Sequence, residues 1–158
     1  MTCTCKYNDK LIWGQHLWRL LHSIPYKLTN SNNKDKAIKI IQKFYSLLPC
    51  NECYDHAKLY LSKNNINIET NNLEEIKQIL DKYIFDFHNT VNVRLKKDIK
   101  KEYKSYDLYK QTKALHTIDM SEIRKIYRNK HNNEFFVTHH TEHERRFIKD
   151  FFIVYGKL

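Results

Sequence analysis

Turn-forming residues are scarce in this chain: 158 residues include two glycines and two prolines. A many-turned β fold needs more of both, so the scarcity argues for helices. No run approaches the roughly twenty apolar residues that span a bilayer. The opening Met1 to Lys10 carries Cys, Lys, Asn and Asp where a secretory signal would have an apolar segment. The expectation is a soluble chain that is not secreted by a signal peptide. Acidic residues are also outnumbered, 18 against 28 Lys and Arg, which leaves a net charge of +10. Such an excess can mark a nucleic-acid or acidic-surface partner. Here the lysines are scattered and no Arg-rich cluster interleaved with aromatics marks a groove reader, so the charge reads as a solvated surface. Neither a membrane nor nucleic acid is the expected partner. What remains is rich in Leu, Ile, Lys and Asn, and the fold class is all-α.

Cysteine is sparse too, four residues in two close pairs, Cys3-Thr4-Cys5 and Cys50-Asn51-Glu52-Cys53. Structural disulfides are uncommon in a reducing compartment, so close pairs in an unsecreted chain point to redox work or metal binding. Pro49 separates the apolar run Phe44 to Leu48 from a new helix that opens near Cys50. At a helix start the unpaired N–H groups and the dipole favour a thiolate, the form that attacks disulfides and binds metal. By itself the motif is redox-active or a zinc half-site. Cys3 and Cys5 lie on a terminal arm ahead of the first apolar periodicity, and a bridge across one residue would be strained and labile.

Apolar periodicity marks four helices. Trp13, Leu17, Leu20, Leu21 and Ile24 predict a helix over about 9 to 24, with Pro25 just beyond. Trp18 and His22 lie four apart on a neighbouring face, a spacing that can line a flat pocket or simply pack in the core. Ala37, Ile40, Ile41, Phe44, Leu47 and Leu48 predict the second helix, and Asn51 to Ser62 the third, with His56 beside the thiols. The fourth spans about 73 to 97, from Leu73 to Leu95, with an unexpectedly polar face of His88, Asn89 and Asn92. Asn is a poor interior helix residue, so two in one turn suggest a ligand to be held, or else an exposed face. Four such helices make a small bundle, and bundles place cofactors between facing helices.

Together, Trp13-Gly14-x-x-x-Trp18-x-Leu20-Leu21-His22, Pro49-Cys50-x-x-Cys53 and Phe87-His88-Asn89-x-Val91-Asn92-x-Arg94-Leu95-x-Lys97 resemble the Erv/ALR family of FAD-linked sulfhydryl oxidases. Order and separations match over residues 13 to 97, and the compact size resembles the short members of large DNA viruses. The resemblance implies a four-helix FAD-binding bundle completed by a short fifth helix, usually a homodimer. It implies that Gly14, Trp18 and His22 meet the flavin nucleotide from the first helix, and His56, beside the thiols, from the third. His88, Asn89, Asn92, Leu95 and Lys97 meet it from the fourth. Cys50, the more exposed, would exchange disulfides with protein dithiols, including those of a thioredoxin-like carrier. Cys53 would face the flavin and pass it two electrons, with oxygen as acceptor and hydrogen peroxide as product. Cys3 and Cys5 would form the terminal shuttle pair that many members carry. For a viral member the expected location is the host cytoplasm or the virion. Two departures stand out: Leu48 replaces the aromatic many members place before Pro-Cys, and the structural disulfide of cellular members has no counterpart.

The expected organisation is a flexible arm over 1–8, an oxidase domain over 9–114 and an extension over 115–158. Tyr103, Tyr106 and Tyr109 suit either the short fifth helix or a plain core or surface stripe, and Phe147 to Tyr155 suits a strand or a last helix that packs against something. His139, His140 and His143 invite a zinc reading, but no cysteine lies near them and a polar loop explains the run. The rival to the oxidase is a structural zinc module of Cys3, Cys5, Cys50 and Cys53 with a basic nucleic-acid-binding surface.

Overall fold

The computed structural model describes the backbone of residues 7–48, 50–99 and 150–158, with side chains of the first helix from residue 14 onward. Four α-helices follow in order: α1 (Tyr7–Lys27), α2 (Lys34–Gln42), α3 (Asn51–Lys63) and α4 (Leu73–Arg94). Short 3₁₀ turns, Ser31–Asn33 and Phe44–Leu47, flank α2. Residues 150–156 form a further helical segment, and there is no strand among the described residues.

Sequence chemistry explains where these elements start and stop. Asn72 caps α4, its Oδ1 accepting from the backbone N–H groups of Glu74 at 3.0 Å and Glu75 at 3.2 Å. Glu74 and Glu75 in the first turn complement the helix dipole. Cys50 caps α3, its sulfur accepting from the Cys53 N–H at 3.4 Å. At the other end of α4, Lys96 takes a left-handed φ of 56°. Its N–H donates to Val93 O at 3.1 Å, and the Lys97 N–H donates to Asn92 O at 2.8 Å. These two bonds make the reversing cap that usually carries glycine at the left-handed position. The reversal brings Lys97 back beside the helix it follows.

Three predicted boundaries move. α1 continues through Pro25 to Lys27. Pro25 sits in the last turn, and Ile24 and Leu28 on either side of it are both 0% exposed, so burial outweighs one lost donor. The second predicted helix is two pieces, because the chain tightens into a 3₁₀ turn at Phe44. In a 3₁₀ turn residues three apart eclipse, so Phe44 and Leu47 both enter the core. Leu48 is then extended (φ −78°, ψ 124°), the backbone a following proline imposes. α4 stops at Arg94 instead of near 97, at the reversing cap.

α1 packs chiefly on α4, and α3 on the Phe44–Leu47 turn. Leu17, Leu20, Leu21 and Ile24 of α1 meet Ile76, Leu80, Ile84 and Phe87 of α4 in one core. The carboxy-terminal segment belongs to that core. Phe151 and Tyr155 are 0% and 1% exposed, and the Phe151 ring meets Phe44 edge-on at 6.4 Å. Tyr155 shares a hydrogen bond with the buried Ser23 of α1, and Lys27 Nζ sits 4.3 Å above its ring. The Asn33 amide donates to the carbonyls of Lys157 and Leu158 at 3.4 and 3.5 Å. The aromatic tail thus packs as helix against α1 and the 3₁₀ turn. Cys3 and Cys5, the Tyr103–Tyr109 repeat and the His139–His143 run lie outside the described residues.

Candidate functional site

A cavity of about 550 Å³ opens between α1, α3, α4 and the Phe44–Leu48 turn. Its size is that of a small-molecule or cofactor site. Apolar and aromatic side chains make most of the wall: Leu17, Trp18, Phe44, Leu48, Ala57, Tyr60, Phe87 and Val91. Polar groups come from α3 and the end of α4, with Cys53, His56, His88, Asn92, Arg94 and Lys97 all contributing. The helices that sequence periodicity predicts therefore converge on one pocket.

Seven of the predicted cofactor residues line it: Gly14, Trp18, His56, His88, Asn92, Leu95 and Lys97. A Cβ built on Gly14 would meet no atom within 4 Å, so the volume it leaves belongs to whatever fills the pocket. Trp18 and His88 stack face to face, centroids 3.6 Å apart and planes within 7°. Helix spacing explains the pair, since α1 and α4 lie side by side and each ring projects from the shared face.

Two predicted residues stand behind the wall instead of in it. His22 is buried, 6% exposed, and its Nε2 shares a hydrogen bond of 2.9 Å with His88 Nδ1. Burial pushes its pKa down to about 4, so His22 is neutral near pH 7 and acts as a fixed hydrogen-bonding support for His88. Asn89 likewise does not line the cavity. Its Oδ1 accepts from Asn92 Nδ2 at 3.5 Å, because residues three apart on a helix turn to different but adjoining faces.

The two cysteines differ. Cys53 lines the cavity and is a thiol. Cys50 is disulfide-bonded, so the two are not joined to each other. The expectation that Cys50 is the more exposed does not hold: it is 0% exposed and Cys53 8%. Its sulfur turns back over the start of α3 to accept the Cys53 N–H, which draws it inward. A bonded Cys50 cannot serve as a thiolate in a four-cysteine zinc set. Among the described residues no group of three or more His, Cys, Asp or Glu could hold a metal.

Sequence reasoning gave no site role to Tyr60, an inward residue of the third helix, or to Arg94, which it held only as part of the third motif. Tyr60 stacks on Phe87 at 5.1 Å, and burial raises its phenol pKa, so it stays a neutral ring in the wall. Arg94 places Nη2 3.8 Å from Cys53 Sγ and Nη1 3.8 Å from Glu52 Oε1. The signal for Arg94 was its helical register: Phe87, Val91 and Arg94 fall at i, i+4 and i+7 on the cavity face.

A helical bundle in which a cysteine-pair motif opens on an aromatic pocket defines a class of thiol-redox proteins that hold a flat cofactor. The model of the Erv1 / Alr family matches residues 15–113, and the chain belongs to that family. The FAD-linked sulfhydryl oxidase of African swine fever virus is 37% identical over 112 residues, covering 69% of this chain and 88% of that protein. A putative FAD-linked sulfhydryl oxidase of Invertebrate iridescent virus 6 is 35% identical over 98 residues, covering 58% of this chain and 86% of its own length. No solved structure matches.

Proposed function

We propose that this chain is an FAD-linked sulfhydryl oxidase that forms disulfides in protein dithiols and passes the electrons to oxygen, giving hydrogen peroxide. The observation that carries this reading is a single pocket whose wall holds the Cys53 thiol together with Trp18, His88, Asn92 and Lys97. Membership of the Erv1 / Alr family, and relatives named for that activity, support it. The residues suit the cofactor: an apolar, aromatic wall matches a flat ring system, and Lys97 supplies positive charge for phosphates. Gly14, Trp18, His88, Asn92, Leu95 and Lys97 would hold it, with His22 and Asn89 bracing His88 and Asn92 from behind. Bound there, FAD supplies a two-electron acceptor that oxygen can reoxidise.

The chain's own part is thiol exchange. A substrate thiolate attacks the Cys50 sulfur of a Cys50–Cys53 bridge, and Cys53 leaves as a thiolate in the cavity wall. A second substrate thiolate then attacks the mixed disulfide and releases Cys50, so the substrate departs as a disulfide and both active-site cysteines are reduced. The start of α3 favours the Cys50 anion, because the Cys53 N–H points at its sulfur. A bonded Cys50 beside a Cys53 thiol is the arrangement the mixed disulfide requires. Cys3 and Cys5 relay electrons from the substrate to Cys50, in a homodimer whose oxidase domain spans about 9–114.

The visible spectrum of the purified protein, followed by oxygen uptake on adding dithiothreitol, tests the reading. Near one FAD per chain is expected, with uptake lost in Cys53→Ser. A colourless protein that cannot be reconstituted with FAD refutes it.

A further inference from the structure

Arg94, the last helical residue of α4, stands between a sulfur and a carboxylate at equal distances. Nη2 is 3.8 Å from Cys53 Sγ, and Nη1 is 3.8 Å from Glu52 Oε1. Both charged side chains are 18% exposed. A committed Arg–carboxylate fork closes to about 2.7–2.9 Å, and this pair does not. Instead Glu52 Oε2 and Arg94 Nε are buried with no hydrogen-bond partner among the described residues. A guanidinium held this loosely keeps capacity for a neighbour whose charge changes, and that neighbour is Cys53.

We propose that Arg94 is a catalytic residue of the disulfide exchange, and that Glu52 is the positioning residue that sets its strength. The inference rests on the sulfhydryl-oxidase reading above. When a substrate thiolate attacks Cys50, a new S–S bond forms to Cys50, the Cys50–Cys53 bond breaks, and its electron pair leaves on Cys53 Sγ. One sulfur anion enters and one is released, so the step is balanced without proton transfer. The negative charge, however, moves into the wall of a mainly apolar cavity, where burial disfavours it. Arg94 meets the charge there. A leaving thiol of lower pKa departs faster, and an opposite charge at this range lowers a thiol's pKa.

Glu52 acts with the opposite sign. Its carboxylate shares the same guanidinium and adjoins Cys53 in sequence, so it weakens Arg94's hold on the sulfur. Neutralising Glu52 frees the guanidinium for Cys53, whereas neutralising Arg94 abandons the thiolate. Two residues in contact thus move one sulfur in opposite directions, which loss of structure would not do.

The test uses the full chain with Cys3, Cys5 and Cys50 replaced by Ser, so that Cys53 is the sole thiol. Its thiolate is titrated by ultraviolet absorbance against the same protein carrying Cys53→Ser, a readout that needs no turnover. Arg94→Gln should raise the midpoint by about one to two pH units, Arg94→Lys should raise it less, and Glu52→Gln should lower it by about half a unit to one. In the chain with its cysteines intact, anaerobic reduction of the Cys50–Cys53 bridge by dithiothreitol should slow roughly tenfold in Arg94→Gln and quicken in Glu52→Gln. Midpoints that stay put, or that move the same way in both variants, overturn the proposal. If Arg94→Gln does not fold, Glu52→Gln decides alone, an unchanged or raised midpoint being fatal. Opposite shifts, together with a cysteine-intact chain that takes up neither FAD nor oxygen, would leave the Arg94 assignment standing and refute the oxidase reading.

Discussion

Phe151→Ala measures whether the carboxy-terminal segment is part of the bundle's core. The Phe151 ring is 0% exposed, lies edge-on to Phe44 at 6.4 Å and stacks on Tyr155 at 6.0 Å. Removing a ring so enclosed loses its transfer free energy and leaves a cavity that the neighbouring helices fill only in part. Core Phe→Ala changes cost about 3–5 kcal/mol, a large share of the roughly 5–15 kcal/mol that a domain has. For a chain of this size, about 2–4 °C is lost per kcal/mol, so the melting temperature should fall by about 6–20 °C. Urea unfolding followed by far-ultraviolet circular dichroism is the assay, because an unchanged slope with a lower midpoint isolates stability from changes in compactness. Ile153→Ala is the internal control. Ile153 is 57% exposed on the same segment, so its truncation should stay within about 0.5 kcal/mol. A Phe151→Ala loss below about 1 kcal/mol, or equal losses at both positions, would refute the packing of residues 150–156 on α1 and the 3₁₀ turn.

Lys96→Gly should stabilise the chain by about 0.5–1 kcal/mol, because φ at 96 is 56°, where glycine carries no Cβ penalty and lysine does; a lower urea midpoint would refute the strain. His22 makes stability pH-dependent. Its folded pKa is about 4 against an ordinary 6.5, so its full contribution is present above about pH 6.5 and is lost as pH falls toward 4. That loss amounts to about 3 kcal/mol. His22→Asn should flatten stability over that window, and an unchanged pH profile would contradict neutral burial. Replacing Cys3 and Cys5 with Ser should slow oxidation of a protein dithiol and spare dithiothreitol; equal rates on both substrates in wild type and variant would remove the relay.

How much was legible in the chain follows from the range of the forces involved. Local chemistry is written residue by residue: apolar spacing placed the four helices, Pro49 separated the second and third, and Asn72 with two following glutamates marks the start of α4. The three motifs brought Trp18, His88, Asn92, Lys97 and Cys53 to notice before any contact was known, and all five line one cavity. Tertiary packing decided the rest. Whether His22 faced the pocket or braced His88 depended on how α1 rotates against α4, and burial turned it inward. The stop of α4 at Arg94 depended on a left-handed Lys96, which no propensity favours. Phe151 and Tyr155 could have been strand or helix until the face of α1 and Phe44 offered them a place to bury. Arg94 stood in the third motif with no role of its own. Only the approach of α3 to the end of α4 set it between Glu52 and Cys53, because electrostatic partners are chosen by distance in space, and helical register gives a face but no partner.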